Sequence, residues 1–348
     1  MEGQEIKKLN ADKLASWTFL LIVLTVGLFL SIVVAVCIGV IYISPGKVLS
    51  ILFGQITDPN DTDVNIIMSI RLPRVLLAAA IGAALSVAGV AMQGVFRNPM
   101  ASPSILGISS GAAFGASLAI VLGASFVTGQ FAIPAMAFIF CVGTMLLVYF
   151  ISKSGGHVPV ETLLLAGIAV GAFFSALVSF MQFIAGDKLE GLVFWLMGGF
   201  GRADWQQLWI ALPLIAIGSF AIMYFARELN AMTIGEDHAT SLGVDTQKVI
   251  LIMIIVTSIV VAAAVSFSGV IGFVGLIVPH IIRIIIGPDH RVLIPASILA
   301  GASFLVIMDT LARTLMAPTE IPVGIITAML GAPFFIYLLR RRKHMMGW

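Results

Sequence analysis

Trp17 to Ile41 is a run of 25 residues without a single charge. At 1.5 Å per residue, a helix of that length reaches about 37 Å, enough to cross a roughly 30 Å hydrocarbon layer with tilt. A secretory signal core is only about 7–15 residues long. The segment Val34-Ala35-Val36-Cys37 has the outline of a lipoprotein cleavage site, but Val36 is too large for it and the apolar run continues past the cysteine. The run is therefore read as an uncleaved first span. Nine more apolar runs follow, at about 72–96, 105–123, 131–152, 161–184, 206–226, 248–267, 270–287, 292–314 and 322–340. Lipid offers no partner for free backbone groups, so such runs cross as helices. A membrane barrel would need strands that alternate apolar and polar residues, and these runs do not alternate. The expectation is an all-α membrane protein of about ten transmembrane helices, with residues 1–348 forming one polytopic membrane domain.

Composition agrees. Of 348 residues, 60% are apolar and 10% charged, against about 25% charged in ordinary soluble domains, and the mean hydropathy is +1.11. Too little polar surface is available for a soluble enzyme, a nucleic-acid binder or a disordered chain. Thirteen of the 19 lysines and arginines fall on the side of both termini if the N-terminus is placed inside. That bias predicts cytoplasmic termini in an inner or plasma membrane, with the Arg340–Lys343 run as a topological anchor. Cys37 and Cys141 lie inside separate apolar runs and read as small packing residues.

Little in the chain can carry bond chemistry. There is no G-x-x-x-x-G-K-[ST], no H-E-x-x-H and no Cys/His cluster, so no catalytic, cofactor or metal site is expected. Ionisable residues inside spans are few: Asp309 and Arg313 on the ninth, and His280 and Arg283 near the inner end of the eighth. Asp309 and Arg313, at i and i+4, share a face and can pair. That pair reads either as a neutral brace or as the proton relay of a stand-alone secondary transporter, for which Asp309 would be the essential acid. The outer-face arginines Arg71 and Arg74 suit interfacial anchors that snorkel. Gly107, Gly111 and Gly115, and again Gly167 and Gly171, form small-residue stripes suited to close helix packing. Pro279, in a glycine-rich stretch, suggests a flexible or broken eighth helix.

Three connections are longer than a turn: 42–71, with Asp58, Asp61 and Asp63; 185–205; and the cytoplasmic 227–247. In the last, Thr233 and Glu236 have capping-box spacing, and Gly243 suits a C-terminal cap. A short, polar, capped helix with few apolar anchors is suited to docking on a partner.

Several motifs then fall together. They are Arg71-Leu72-Pro73-Arg74, the stretch from Gln93 through Arg97-Asn98-Pro99-Met100 to Pro103, and Leu106 to Gly111. Leu163 to Gly167, Trp195 to Phe200, Gly272 to His280, Asp289-His290-Arg291, and Gly324 to Pro333 complete the set. In order and spacing they resemble the iron-chelate and vitamin B12 (FecCD) permeases of ABC importers, over nearly the whole chain. The resemblance implies a ten-helix subunit of the vitamin B12 permease-like (type II importer) kind. It implies as partners two ABC ATPase subunits, an extracytoplasmic substrate-binding protein, a second permease copy or close homologue, and membrane lipid, with no nucleic acid. It implies an iron–siderophore as cargo, with haem and vitamin B12 next. Matching its coupling element are Gly235, Glu236, Ala239, Leu242 and Gly243. Matching its cytoplasmic gate are Asn98, Met100, Val160 and Glu161, the last departing from the small polar residue expected there. Arg313, with Arg71 and Arg74, matches positions that meet acids on the binding protein.

Overall fold

The computed structural model describes residues 2–56, 58, 60–124, 127–153 and 157–345, and side chains between Lys13 and Tyr337 together with Arg340. Pro59, in the 42–71 connection, lies outside the described residues, as do the side chains of Lys7, Lys8, Arg341, Arg342 and Lys343, which entered the charge argument.

Helix α1 (Glu2–Cys37) leads through the short α2 (Pro45–Leu52) and α3 (Thr62–Asn65) and a π turn (Ile66–Arg71) into α4 (Leu72–Val95). A 3-10 turn (Pro103–Leu106) precedes α5 (Ile108–Ser117), which continues through a second π turn (Leu118–Leu122). Then come α6 (Ala132–Ser152), α7 (Val160–Ile184), the short α8 (Leu189–Met197) and α9 (Trp205–Tyr224). Two short helices, α10 (Ala226–Ile234) and α11 (Glu236–Ser241), precede α12 (Thr246–Ser268), α13 (Val274–Ile286), α14 (His290–Thr314) and α15 (Val323–Met345). Among the described residues, seven segments are long and apolar enough to span a membrane, and three shorter apolar helices, Ile108–Leu122, Val274–Ile286 and Val323–Tyr337, make the count of ten. Ten crossings return the chain to the face it left, here called proximal. The loop after α4 and the α10–α11 pair lie on it; α2, α3 and α8 lie on the distal face.

Helix α4 is the axis of the bundle, with 89% of its most apolar window buried. Its sequence, AAAIGAALSVAGVA over 78–91, has ten Ala, Gly or Ser among 14 residues, so neighbouring backbones can touch it. An added β-carbon at Gly89 would stand 1.8 Å from the Gly275 carbonyl oxygen of α13, and one at Gly82 would stand 2.2 Å from that of Gly301 in α14. In contrast α1 is only 11% buried over its apolar window and leans on α14 from outside.

The glycine stripes pack inside the subunit. A β-carbon on Gly111 would overlap Thr144 of α6, and Gly107 meets Gly167 and Gly171 of α7. Two readings are corrected. The eighth span was expected from 270 and begins at Val274, because Gly269 and Phe273 adopt left-handed backbone (φ +67° and +69°) and hold 269–273 out of the helix. Pro279 is accommodated within an unbroken α13. The connection 185–205 contains α8, a short apolar helix on the distal face.

Candidate functional site

The proximal segment begins at α10, whose Leu229 and Met232 are buried. Its hydrogen-bonding anchor is Asn230. The Asn230 amide donates to Asp289 Oδ1 (2.9 Å), and its oxygen accepts from the His290 backbone N–H (2.8 Å) and lies 2.8 Å from His290 Nδ1. Asp289 is also the N-cap of α14, accepting from Arg291 N–H, and pairs with the Arg291 guanidinium at 2.7 Å. The Arg291 and Asn230 hydrogen bonds hold the Asp289 carboxyl well below the usual carboxylate range. A carboxylate with a depressed folded-state value adds stability above its unfolded value, about 3.9, and loses it as pH falls through the folded one. Asp289→Asn is therefore expected to flatten the acid limb of the melting-temperature profile below about pH 4. Circular dichroism of the detergent-solubilised protein checks this.

The chain then bends at Gly235 (φ +141°) into α11. The expected capping box does not form. The Thr233 hydroxyl bonds back to the Asn230 carbonyl at 2.6 Å, because Thr233 is still inside α10 and Gly235 is the N-cap of α11. The other end closes as the sequence suggests. Gly243 takes φ +87°, its N–H donates to Thr240 and the Val244 N–H donates to Ala239, the paired bonds of a glycine-closed helix end. Ala239 and Leu242, grouped together in the sequence, point opposite ways: Ala239 is fully buried and Leu242 is 70% exposed. Ile234, 67% exposed at the other end of α11, was missed. Two exposed aliphatic side chains thus flank a polar helix outside the bundle.

The positions expected to form the gate reach the same face on different elements. Asn98 follows the end of α4, and its Oδ1 accepts from the Met100 N–H at 2.9 Å. Val160 and Glu161 form the first turn of α7. The two elements are packed where Gly167 meets the backbone of Ile105 and Leu106. The structure also joins the loop after α4 to α11 through Arg97 and Glu236, 3.8 Å apart.

On the distal face, Asp309 pairs with two arginines, one of them not expected. Arg313 Nε lies 3.2 Å away, and Arg74 approaches from α4 with Nη2 at 2.9 Å. Arg74 also binds Glu320 at 2.9 Å. Arg313 donates to the Ala35 carbonyl at 3.0 Å. Arg71 donates to the carbonyls of Val36 (2.7 Å), Cys37 and Ile41. Asp309 is 1% exposed, and Arg71, Arg74 and Arg313 are 5%, 8% and 5% exposed. The three arginines are thus internal ties joining α1, α4 and α14, not snorkelling anchors. Sequence reasoning paired Asp309 only with its i+4 neighbour because Arg74 is 235 positions away. The acidic connection is likewise tied down, with Lys47 held between Asp61 and Asp63 at 3.1 and 2.5 Å.

A family model described as the FecCD transport family matches residues 24–341. The chain belongs to the FecCD family. It is the permease of an ABC importer, and the chemistry of ATP hydrolysis in such systems sits in a separate subunit. The cobalamin import system permease of Halobacterium salinarum is 48% identical over 278 residues, covering 80% of this chain and 74% of that one. The hemin transport system permease of Yersinia pestis is 43% identical, covering 82% and 86%. A solved structure of a metal-chelate type ABC transporter in an inward-facing conformation superimposes with a TM-score of 0.82 at 34% identity, covering 92% of this chain and 98% of that one. FecCD membership replaces the stand-alone transporter as the frame for Asp309, whose carboxylate lies within ion-pair distance of two guanidinium groups.

Proposed function

We propose that this FecCD permease imports a metal chelate of the tetrapyrrole class, a corrinoid or haem, with α11 as the element that docks on an ABC ATPase. The observation that carries the docking reading is the geometry of α11: a short helix closed by Gly235 and Gly243, anchored by Ala239 and presenting Leu242 and Ile234. A rigid helix transmits a push that a floppy loop would absorb. The relatives named for cobalamin and hemin support the cargo class, and the siderophore implied by the motif resemblance is the alternative.

In this reading both termini and α11 face the cytoplasm of an inner or plasma membrane. Two ATPase subunits sit beneath two copies of the chain, and the exposed apolar side of α7, with Leu165, Phe173, Phe180 and Phe183, is available to a second copy or to lipid. Asn98, Met100, Val160 and Glu161 form the inner gate. A binding protein is received on the distal face, where Arg74 holds Glu320 at 2.9 Å, and where the buried Arg313 and Arg71 brace the end of α1 and do not themselves touch the partner.

Co-purification tests the docking surface. Leu242→Asp and Ile234→Asp are expected to lower recovery of the candidate ATPase about tenfold, the effect of removing one or two buried apolar contacts at an interface, with the permease melting temperature unchanged. Ala239→Arg instead is expected to lower that temperature, since its side chain points inward. Wild-type recovery of ATPase by Leu242→Asp would contradict the assignment. Uptake of labelled cyanocobalamin, haemin and a ferric siderophore by reconstituted vesicles ranks the cargo.

A further inference from the structure

Arg97 sits where the backbone favours glycine. Its φ is +48°. Its N–H donates to the Gly94 carbonyl and that of Asn98 donates to the Gln93 carbonyl, both at 3.2 Å. These are the paired bonds that end a helix when a left-handed residue follows its last turn. A β-carbon makes that conformation costly, which is why glycine usually fills it. The end of α11 uses glycine at the equivalent place, Gly243. The end of α4 does not, and a side chain kept against a local backbone preference marks a functional position.

The side chain's one ion-pair partner among the described residues is Glu236, the first residue of α11, at 3.8 Å. Both groups are substantially exposed, so the pair adds little to stability. Its value is its place. On one side is α11, and on the other is Asn98, where the gate loop starts. One turn back, Gly94 packs against the His290 ring, since an added β-carbon would lie 2.9 Å from Nε2. That ring is held by Asn230 of α10. The last turn of α4 thus meets α11 through Arg97 and Glu236, and α10 through the His290 ring and through Leu229, whose Cδ2 an added β-carbon at Gly94 would meet at 3.2 Å.

We infer that Arg97 is a positioning residue that ties the gate loop to α11 through Glu236, so that displacement of α11 by the ATPase moves Asn98 to Met100. The inference rests on the reading of α11 as the coupling helix. The static structure holds the pair without needing it, and the stroke is what the pair transmits.

The test uses the complex of permease and ATPase with a reporter, Met100→Cys. The native Cys37 and Cys141 are buried, so a membrane-impermeant maleimide reads position 100. With the unmodified pair, the labelling rate is expected to differ about fivefold or more between the nucleotide-free and ATP–vanadate states, the lower end of ordinary coupling between sites. Arg97→Gly is expected to abolish that difference while leaving the melting temperature unchanged or higher, because it relieves the left-handed strain. A merely structural role would predict the reverse. Arg97→Glu and Glu236→Arg are each expected to abolish the response, and the double exchange to restore it. A full response in Arg97→Gly, no restoration by the exchange, or a reporter that ignores nucleotide while the ATPase is bound would each overturn the inference alone. Failure of the wild-type chain to bind any ATPase would overturn the docking reading and the inference together.

Discussion

Asp309→Ala is expected to destabilise the permease by about 3–5 kcal/mol, the range found when one partner of a buried ion pair is removed. The reason lies in the arrangement of charge. Asp309 is almost fully buried and accepts from Arg74 and pairs with Arg313, both of which are themselves inside the bundle. Removal of the carboxylate leaves Arg74 with Glu320, which is half-exposed, and leaves Arg313 with the Ala35 carbonyl and the Thr310 hydroxyl. Two guanidinium charges would then face each other across a site with one acid at its rim. Asp309→Asn, which keeps the volume and removes the charge, is expected to go the same way with a smaller effect. The check is thermal unfolding in detergent, with yield as a second readout. A melting curve for Asp309→Ala that matches wild type would show that the ties among α1, α4 and α14 do not depend on this acid.

The second large effect concerns the centre of the bundle. Gly89→Ala is expected to destabilise by at least the 1–3 kcal/mol of ordinary overpacking, about the cost of one or two methylenes forced into a packed core. The atom it meets is a backbone oxygen of α13 at 1.8 Å, which cannot rotate away as a side chain would. Helices α4 and α13 would have to separate, and α13 carries Val278 and Ile282 into the same core. Gly143→Ala is the control. It sits in the interior of α6 with nothing within 4 Å of the added carbon, and it is expected to be neutral or stabilising by about 0.5–1 kcal/mol from the lost backbone freedom of the unfolded chain. Equal effects from the two substitutions would mean that close α4–α13 contact does not determine the packing.

How far the sequence reveals this molecule depends on the range over which its signals act. Span number and placement were readable because each apolar run is long and carries few charges, and a helix satisfies its own backbone within the run. The start of the eighth span was misread because left-handed backbone at Phe273 is a property of a turn, not of composition. Gly243 was legible as a cap because the signal is local to α11. The opposite orientations of Ala239 and Leu242 were not, since on a six-residue helix the buried face is chosen by what lies beneath it. The Asp309–Arg313 pair was legible from its spacing on one helix. Its partner Arg74, the Asn230 clasp on Asp289 and His290, and the Arg97–Glu236 tie each join residues far apart in the chain, and only the fold brings them together. Position 97 is a special case: its residue type matches a family motif, while the strain that makes it informative is visible only in the backbone.

The most direct test of the account is ATP-dependent uptake of labelled cyanocobalamin into vesicles reconstituted with the permease, its binding protein and its ATPase, compared with vesicles lacking the ATPase. The account predicts uptake only where ATPase and ATP are both present, and its loss in Leu242→Asp. Uptake of the same label by permease alone, driven by a proton or ion gradient, would contradict it.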